Sequence, residues 1–191
     1  MSTPHDRHSP RRVVTGHDQA GRAILQSDGP AERVLILPHN GPTFYEIWNT
    51  CESPVRIDRA GGEPPEDGVR LAPPARGTRI RVLDFPPDPV TDDPAAAAKA
   101  RDLFAMVGAA GASTNAAGNA RHAHMHRTQT LDYGIVLEGE ITLLVDEGET
   151  VVRAGDIVIQ RGTNHGWANR SGRNCRVAFI LIDGQFVDGL G

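Results

Sequence analysis

Apolar and polar residues alternate with a period of two along much of the chain, and glycines and prolines interrupt the alternation every few residues. The stretch RRVVTGHDQAGRAILQSDGP reads as strand, turn, strand, with His17 to Gly21 in the turn. TFYEIWNT, residues 43–50, sets Phe44, Glu46 and Trp48 against Tyr45, Ile47 and Asn49, which suits a strand with large side chains on both faces. ESPVRIDRAGGEPPEDG is a loop by its Gly and Pro content, and TRIRVLDF, residues 78–85, returns to strand. One segment changes period. TDDPAAAAKARDLFAMVGAAG offers Asp93 as N-cap, Pro94 at the first helical position and Gly108 near the C-cap, predicting a short helix near 93–107. Leu103, Phe104 and Val107 give it an apolar stripe for docking. The small residues of 109–120 then read as a loop. From residue 121 onward the β pattern is dense, with turn signals at Glu138-Gly139, Glu147-Gly148, Ala154-Gly155, Gly162 and Ser171-Gly172. Turns at such short, regular spacing predict an antiparallel sandwich or barrel.

Composition narrows the class. At 191 residues and 39% hydrophobic, the chain suits one domain, and 21 glycines with 14 prolines favour short strands over long helices. Its expected organisation is a loose, polar N-terminus over 1–11, then N-terminal strands, loops and helix over 12–120, and the densest β region over 121–191. The net charge of −4, with arginines scattered and no basic stripe, argues against nucleic acid or an anionic membrane as partner. Cys51 and Cys175 form no CxxC pair or disulfide framework, no apolar leader opens the chain, and no segment is long and apolar enough to span a bilayer. A cytoplasmic protein is expected. Cys175, opening the apolar run CRVAFILID, is expected to be buried.

The candidate chemistry lies in RHAHMHRTQT, residues 121–130. Of eight histidines in the chain, His122, His124 and His126 fall at alternate positions here, so an extended backbone would show three imidazoles on one face.

These residues carry a family resemblance. Gly118, His124, His126, Asp132 and Gly139 resemble the first sequence motif of the cupins, and Gly155, Gly162, His165 and Asn169 resemble the second. Asp132 stands where that motif has Glu, one residue further from the second His, and Gln160 replaces a proline. The resemblance implies an all-β fold, an antiparallel jelly-roll β-barrel over roughly 40–185 with an N-terminal β arm and one short helix. It also implies that His124, His126, Asp132 and His165 converge inside the barrel on a divalent transition metal (Fe, Mn, Zn, Ni or Cu), with His126, Asp132 and His165 as the catalytic group. His126 and Asp132 have like parity, so the segment Arg127–Leu131 must absorb one residue for Asp132 to point inward. Three functions stay open. One is a metal-dependent dioxygenase, isomerase or lyase acting on a small organic metabolite. Another is a metal-free enzyme with His/Asp acid–base chemistry, and the third a binding barrel without catalysis. A homodimer is expected, with the polar-faced arm pairing onto a neighbouring subunit.

Overall fold

Eleven strands and one helix are built from this alternation in a computed structural model that describes residues 8–59, 64, 68–89, 95–115 and 120–190. Strands β1 (Arg11–His17) and β2 (Ala23–Pro30) form a separate antiparallel hairpin. Six strands make the large sheet in the order β3-β4-β5-β11-β6-β9: β3 (Arg33–Ile36), β4 (Thr43–Thr50), β5 (Thr78–Phe85), β11 (Cys175–Asp183), β6 (Thr130–Glu138) and β9 (Ile157–Arg161). A small sheet holds β10 (His165–Ala168), β7 (Glu140–Val145) and β8 (Glu149–Arg153) in that order. All pairings are antiparallel.

The two sheets pack face to face as an open, flattened barrel. Phe44, Leu83, Val136 and Val177 of the large sheet share one buried cluster with Ile141, Val152 and Trp167 of the small sheet. Helix α1 (Ala96–Met106) closes one side of it by inserting Leu103, with Val107 just beyond the helix, so the expected docking stripe is the one used. The start of the helix differs from expectation. Its N-cap is Ala95, which makes no side-chain cap, while Asp93 and Pro94 lie outside the described residues. Gly108 follows the C-cap with φ +66°, as a helix stop of this kind requires.

The outer face of the large sheet is covered in its own way. Tyr45, Val82 and Ala178 pack around Ala31, and Arg176 holds Asp84 through two 2.7 Å bonds. The N-terminal arm is tied to its own chain: Ala31 N–H donates to the Pro10 carbonyl, Ser9 Oγ to the Ala31 carbonyl and Arg12 to the Ile47 carbonyl. Of the stretch 1–11 expected to be loose, residues 1–7 lie outside the described residues, and Ser9 to Arg11 belong to this attachment.

All five turn signals of the β-rich half fall between strands. At Gly139, joining β6 to β7, φ is +77° and a Cβ would stand 2.8 Å from the Asn174 carbonyl oxygen. Gly139→Ala therefore combines a left-handed backbone with a clash against main chain, and a loss of about 1–3 kcal/mol is expected. Thermal melts of the variant would reject this account if the midpoint matched the wild type.

Candidate active site

The histidine segment is not a strand. Met125 N–H donates back to the His122 carbonyl, and the fully buried Met125 side chain holds this turn in place. Extended parity is lost, so the three imidazoles do not share a face. His124 and His126 line the interior cavity. His122 stays at its edge, with Nε2 3.3 Å from Asp88 and Nδ1 accepting from the His124 N–H.

Beyond the turn the chain extends, and His126 forms a single antiparallel bridge with His165, the first residue of β10. His126 N–H donates to the His165 carbonyl at 2.8 Å and His165 N–H returns the bond at 2.9 Å. Directly opposed residues in such a bridge send their side chains to the same face. The two rings accordingly stand 4.3 Å apart, centre to centre. This bridge also joins the lead-in to the large sheet to the edge of the small one, so the site sits where the two sheets are linked.

Each of these rings is oriented by a carbonyl. His126 Nδ1 donates to the His124 carbonyl at 2.9 Å, and His165 Nδ1 to the Thr163 carbonyl at 3.0 Å. A carbonyl only accepts, so Nδ1 carries the proton and Nε2 is left as the lone-pair nitrogen. Burial drives all three cavity imidazoles toward the neutral form. His126 is lowered to about 3, with the neighbouring His165 adding to the effect of burial, and His165 to about 4. His124 is lowered to about 4 by burial and then by His122.

Asp132 points inward. Along β6, Thr130, Asp132, Gly134 and Val136 are buried while Leu131, Tyr133 and Ile135 are only partly so. The extra residue is absorbed in Arg127–Gln129, which is not in a strand and is held by Arg127 Nε donating to the Gly162 carbonyl. Burial raises the Asp132 carboxyl to about 6, against the opposing pull of a Thr130 hydrogen bond and the charge of Arg81. Its Oδ1 is buried and has no hydrogen-bond partner among the described residues.

His124, His126, Asp132 and His165 thus all line one cavity of about 120 Å³, walled mainly by Phe44, Phe85, Phe104, Trp167 and Phe179 with leucines between them. No group of three or more His, Cys, Asp or Glu side chains is preassembled around a cation position among the described residues. What fits a metal is the pair His126 and His165, neutral and anchored through Nδ1, as imidazole ligands are. Of the motif glycines, Gly118 lies outside the described residues. Asn169 is structural: its Nδ2 ties the Phe85 and Arg173 carbonyls. Gln160 lines the cavity and is held by Thr163.

Sequence reading missed Arg81. It lies on the inner face of β5 with Arg79, Leu83 and Phe85, only 1% exposed, and reaches the cavity. Arg79 and Arg81 approach Glu46 of β4 at 3.0 and 3.2 Å, and Arg81 also donates to the Arg70 carbonyl and stacks over Phe44. The alternation Arg79, Arg81, Leu83, Phe85 was the available signal, because it puts both arginines on the face of the apolar residues.

Two antiparallel sheets enclosing imidazoles and a carboxylate in an aromatic cavity define a small β-barrel protein with an internal site. A family profile described as the cupin domain matches residues 113–182. The chain is 42% identical over 188 residues to the cupin-domain-containing oxidoreductase srdD of Neurospora crassa, covering 94% of this chain and 79% of that protein. It is 29% identical over 195 residues to phomopsin biosynthesis cluster protein C' of Diaporthe leptostromiformis, covering 95% and 86%. Among solved structures, the cupin domain of an XRE family transcriptional regulator from Enterobacter cloacae aligns at TM-score 0.36 and 13% identity, over 56% of this chain and 83% of that one. The chain belongs to the cupin family.

Proposed function

We propose that this protein is a metal-dependent cupin enzyme of oxidoreductase type acting on a small, largely apolar organic molecule, with His126 and His165 as the core of the metal hold. The observation that carries this reading is the reciprocal His126–His165 backbone bridge, which sets two neutral rings side by side with both Nδ1 atoms already committed. His124, on the same cavity, is the further imidazole proposed for the ion, and Asp132 the acid–base group. A divalent transition metal bound there would supply Lewis acidity or redox activation, and two imidazoles suit Fe, Mn, Zn, Ni or Cu. The protein's part is to keep Nε2 unprotonated, exclude water with the aromatic walls and hold the substrate against Asp132. The oxidoreductase and biosynthesis-cluster names of the relatives support a redox reaction on a small molecule.

Metal analysis of the untagged protein tests the reading. Near-stoichiometric metal is expected, lost in the double variant His126→Ala/His165→Ala while the circular dichroism spectrum is kept. A metal-free protein that turns over substrate would replace this reading with acid–base catalysis by Asp132, whose raised carboxyl favours that alternative.

The same proposal includes a homodimer in the cytoplasm. Among the described residues no helix is long and apolar enough to cross a membrane. Val34 and Ile36 on edge strand β3, and Ile157 and Ile159 on edge strand β9, are exposed and apolar, which supports pairing of subunits. Light scattering at micromolar concentration giving only monomer would remove the dimer.

A further inference from the structure

We propose that the cavity takes a neutral aromatic molecule bearing a hydroxyl group, and that Asp132 accepts the hydrogen bond of that hydroxyl. This deepens the enzyme reading of the same cavity and rests on it only for the site, not for the metal.

The carboxylate is the first reason. Asp132 is only 6% exposed, lines the cavity and is supported by Thr130, yet its Oδ1 has no hydrogen-bond partner among the described residues. A buried carboxylate oxygen without a donor is strongly disfavoured, and a donor on the ligand relieves it. An O–H to carboxylate contact is among the shorter and stronger hydrogen bonds.

Charge selects a neutral donor. Arg81 brings a positive charge to the cavity lining, with Glu46 3.2 Å behind it, and Asp132 brings a negative one. An ammonium group brought to Asp132 would meet Arg81, whose charge Asp132 already feels. A ligand carboxylate placed there would meet the Asp132 carboxylate itself. A hydroxyl meets neither objection.

The walls select an aromatic body. Phe44, Phe85, Phe104, Trp167 and Phe179 face the cavity, and Trp167 and Phe179 are already in edge-to-face contact at 5.4 Å. Gly134 is the next inward residue after Asp132 on β6. A Cβ there would stand 3.2 Å from the Phe179 ring and 3.7 Å from Trp167, so glycine keeps open the space between the carboxylate and these rings. A flat ring entering this space finds aromatic edges and faces on several sides.

Phenol, anisole and benzoate separate the possibilities, since they share the ring and differ in the polar group. Each is titrated by calorimetry into the purified protein, as isolated and again after dialysis against a chelator. Phenol is expected to bind at least tenfold more tightly than either of the others, with or without chelator. Asp132→Asn is expected to lower phenol binding about tenfold and leave anisole unchanged. Anisole equal to phenol, benzoate tightest, no binding of any of the three at millimolar concentration, or phenol binding unaltered in a folded Asp132→Asn would each overturn the proposal. If the variant does not fold, the wild-type ranking alone decides. Metal content, measured separately, reports on the metal reading without bearing on this ranking.

Discussion

Glu46→Ala is expected to cost about 3–5 kcal/mol of folding stability, the loss typical of removing one partner from a buried ion pair. Arg79 and Arg81 are each 1% exposed and Glu46 8%, so none of the three charges has useful contact with water. With the carboxylate gone, the buried Arg79 and Arg81 guanidinium groups lose the acid they share. Domains of this size are stable by only ~5–15 kcal/mol in total, so the variant loses a large share of its margin. Glu46→Gln keeps an acceptor but no charge and is expected to fall between alanine and wild type. Urea denaturation measures both, and a loss below about 1 kcal/mol for alanine would show that the three charges are solvated after all. Arg81 also reaches the cavity, so binding there is expected to weaken along with stability.

Acid is expected to destabilise the protein steeply between pH 6.5 and 4. His124, His126 and His165 are held at about 4, about 3 and about 4, while in the unfolded chain they titrate near the ordinary value. Below pH 6.5 the unfolded chain therefore binds protons that the folded chain refuses, and stability falls as pH falls until the folded rings titrate. Asp132 works in the opposite direction. Its carboxyl is raised to about 6, so between 3.8 and 6 the folded chain holds the extra proton and gains from acid. Three imidazoles outweigh one carboxyl, and a drop in melting temperature on the order of 10 °C from pH 7 to 4.5 is expected, given that ~1 kcal/mol moves a domain of this size by ~2–4 °C. Replacing His126 and His165 together with asparagine should flatten the profile. A melting temperature that is constant or rises toward pH 4.5 would contradict the burial of these rings.

Much of the architecture was legible in local pattern. Strands 43–50 and 78–85 form over the expected residues, the hairpin 11–30 turns where His17 to Gly21 predicted, and each turn glycine from 139 to 172 joins two strands. These features depend on period and on φ, which neighbours in sequence decide. In the histidine segment, spacing by two implies one face only if the backbone is extended, and the Met125-to-His122 bond folds it into a turn, so His124 and His126 line the cavity while His122 does not. The pairing of His126 with His165 brings together residues with no local relation, as does the joining of Glu46 to Arg79 and Arg81 across a long loop. A charged residue inside a strand reads as solvent-facing until its partner strand is known. Asp132 could be placed only once the backbone between Arg127 and Gln129 was seen to leave the extended state.

The strand at the centre of the large sheet comes last in chain order among the described strands. β11 lies between β5 and β6, pairing Val177 with Leu83 on one side and with Val136 on the other. As the chain leaves the ribosome, β3, β4 and β5 can associate early, but the half of the sheet carrying Asp132 has nothing to join them until residues 175–183 emerge. The cavity therefore cannot form progressively. Until then the edge of β5 is open to wrong partners, the hazard that comes with pairing strands far apart in sequence.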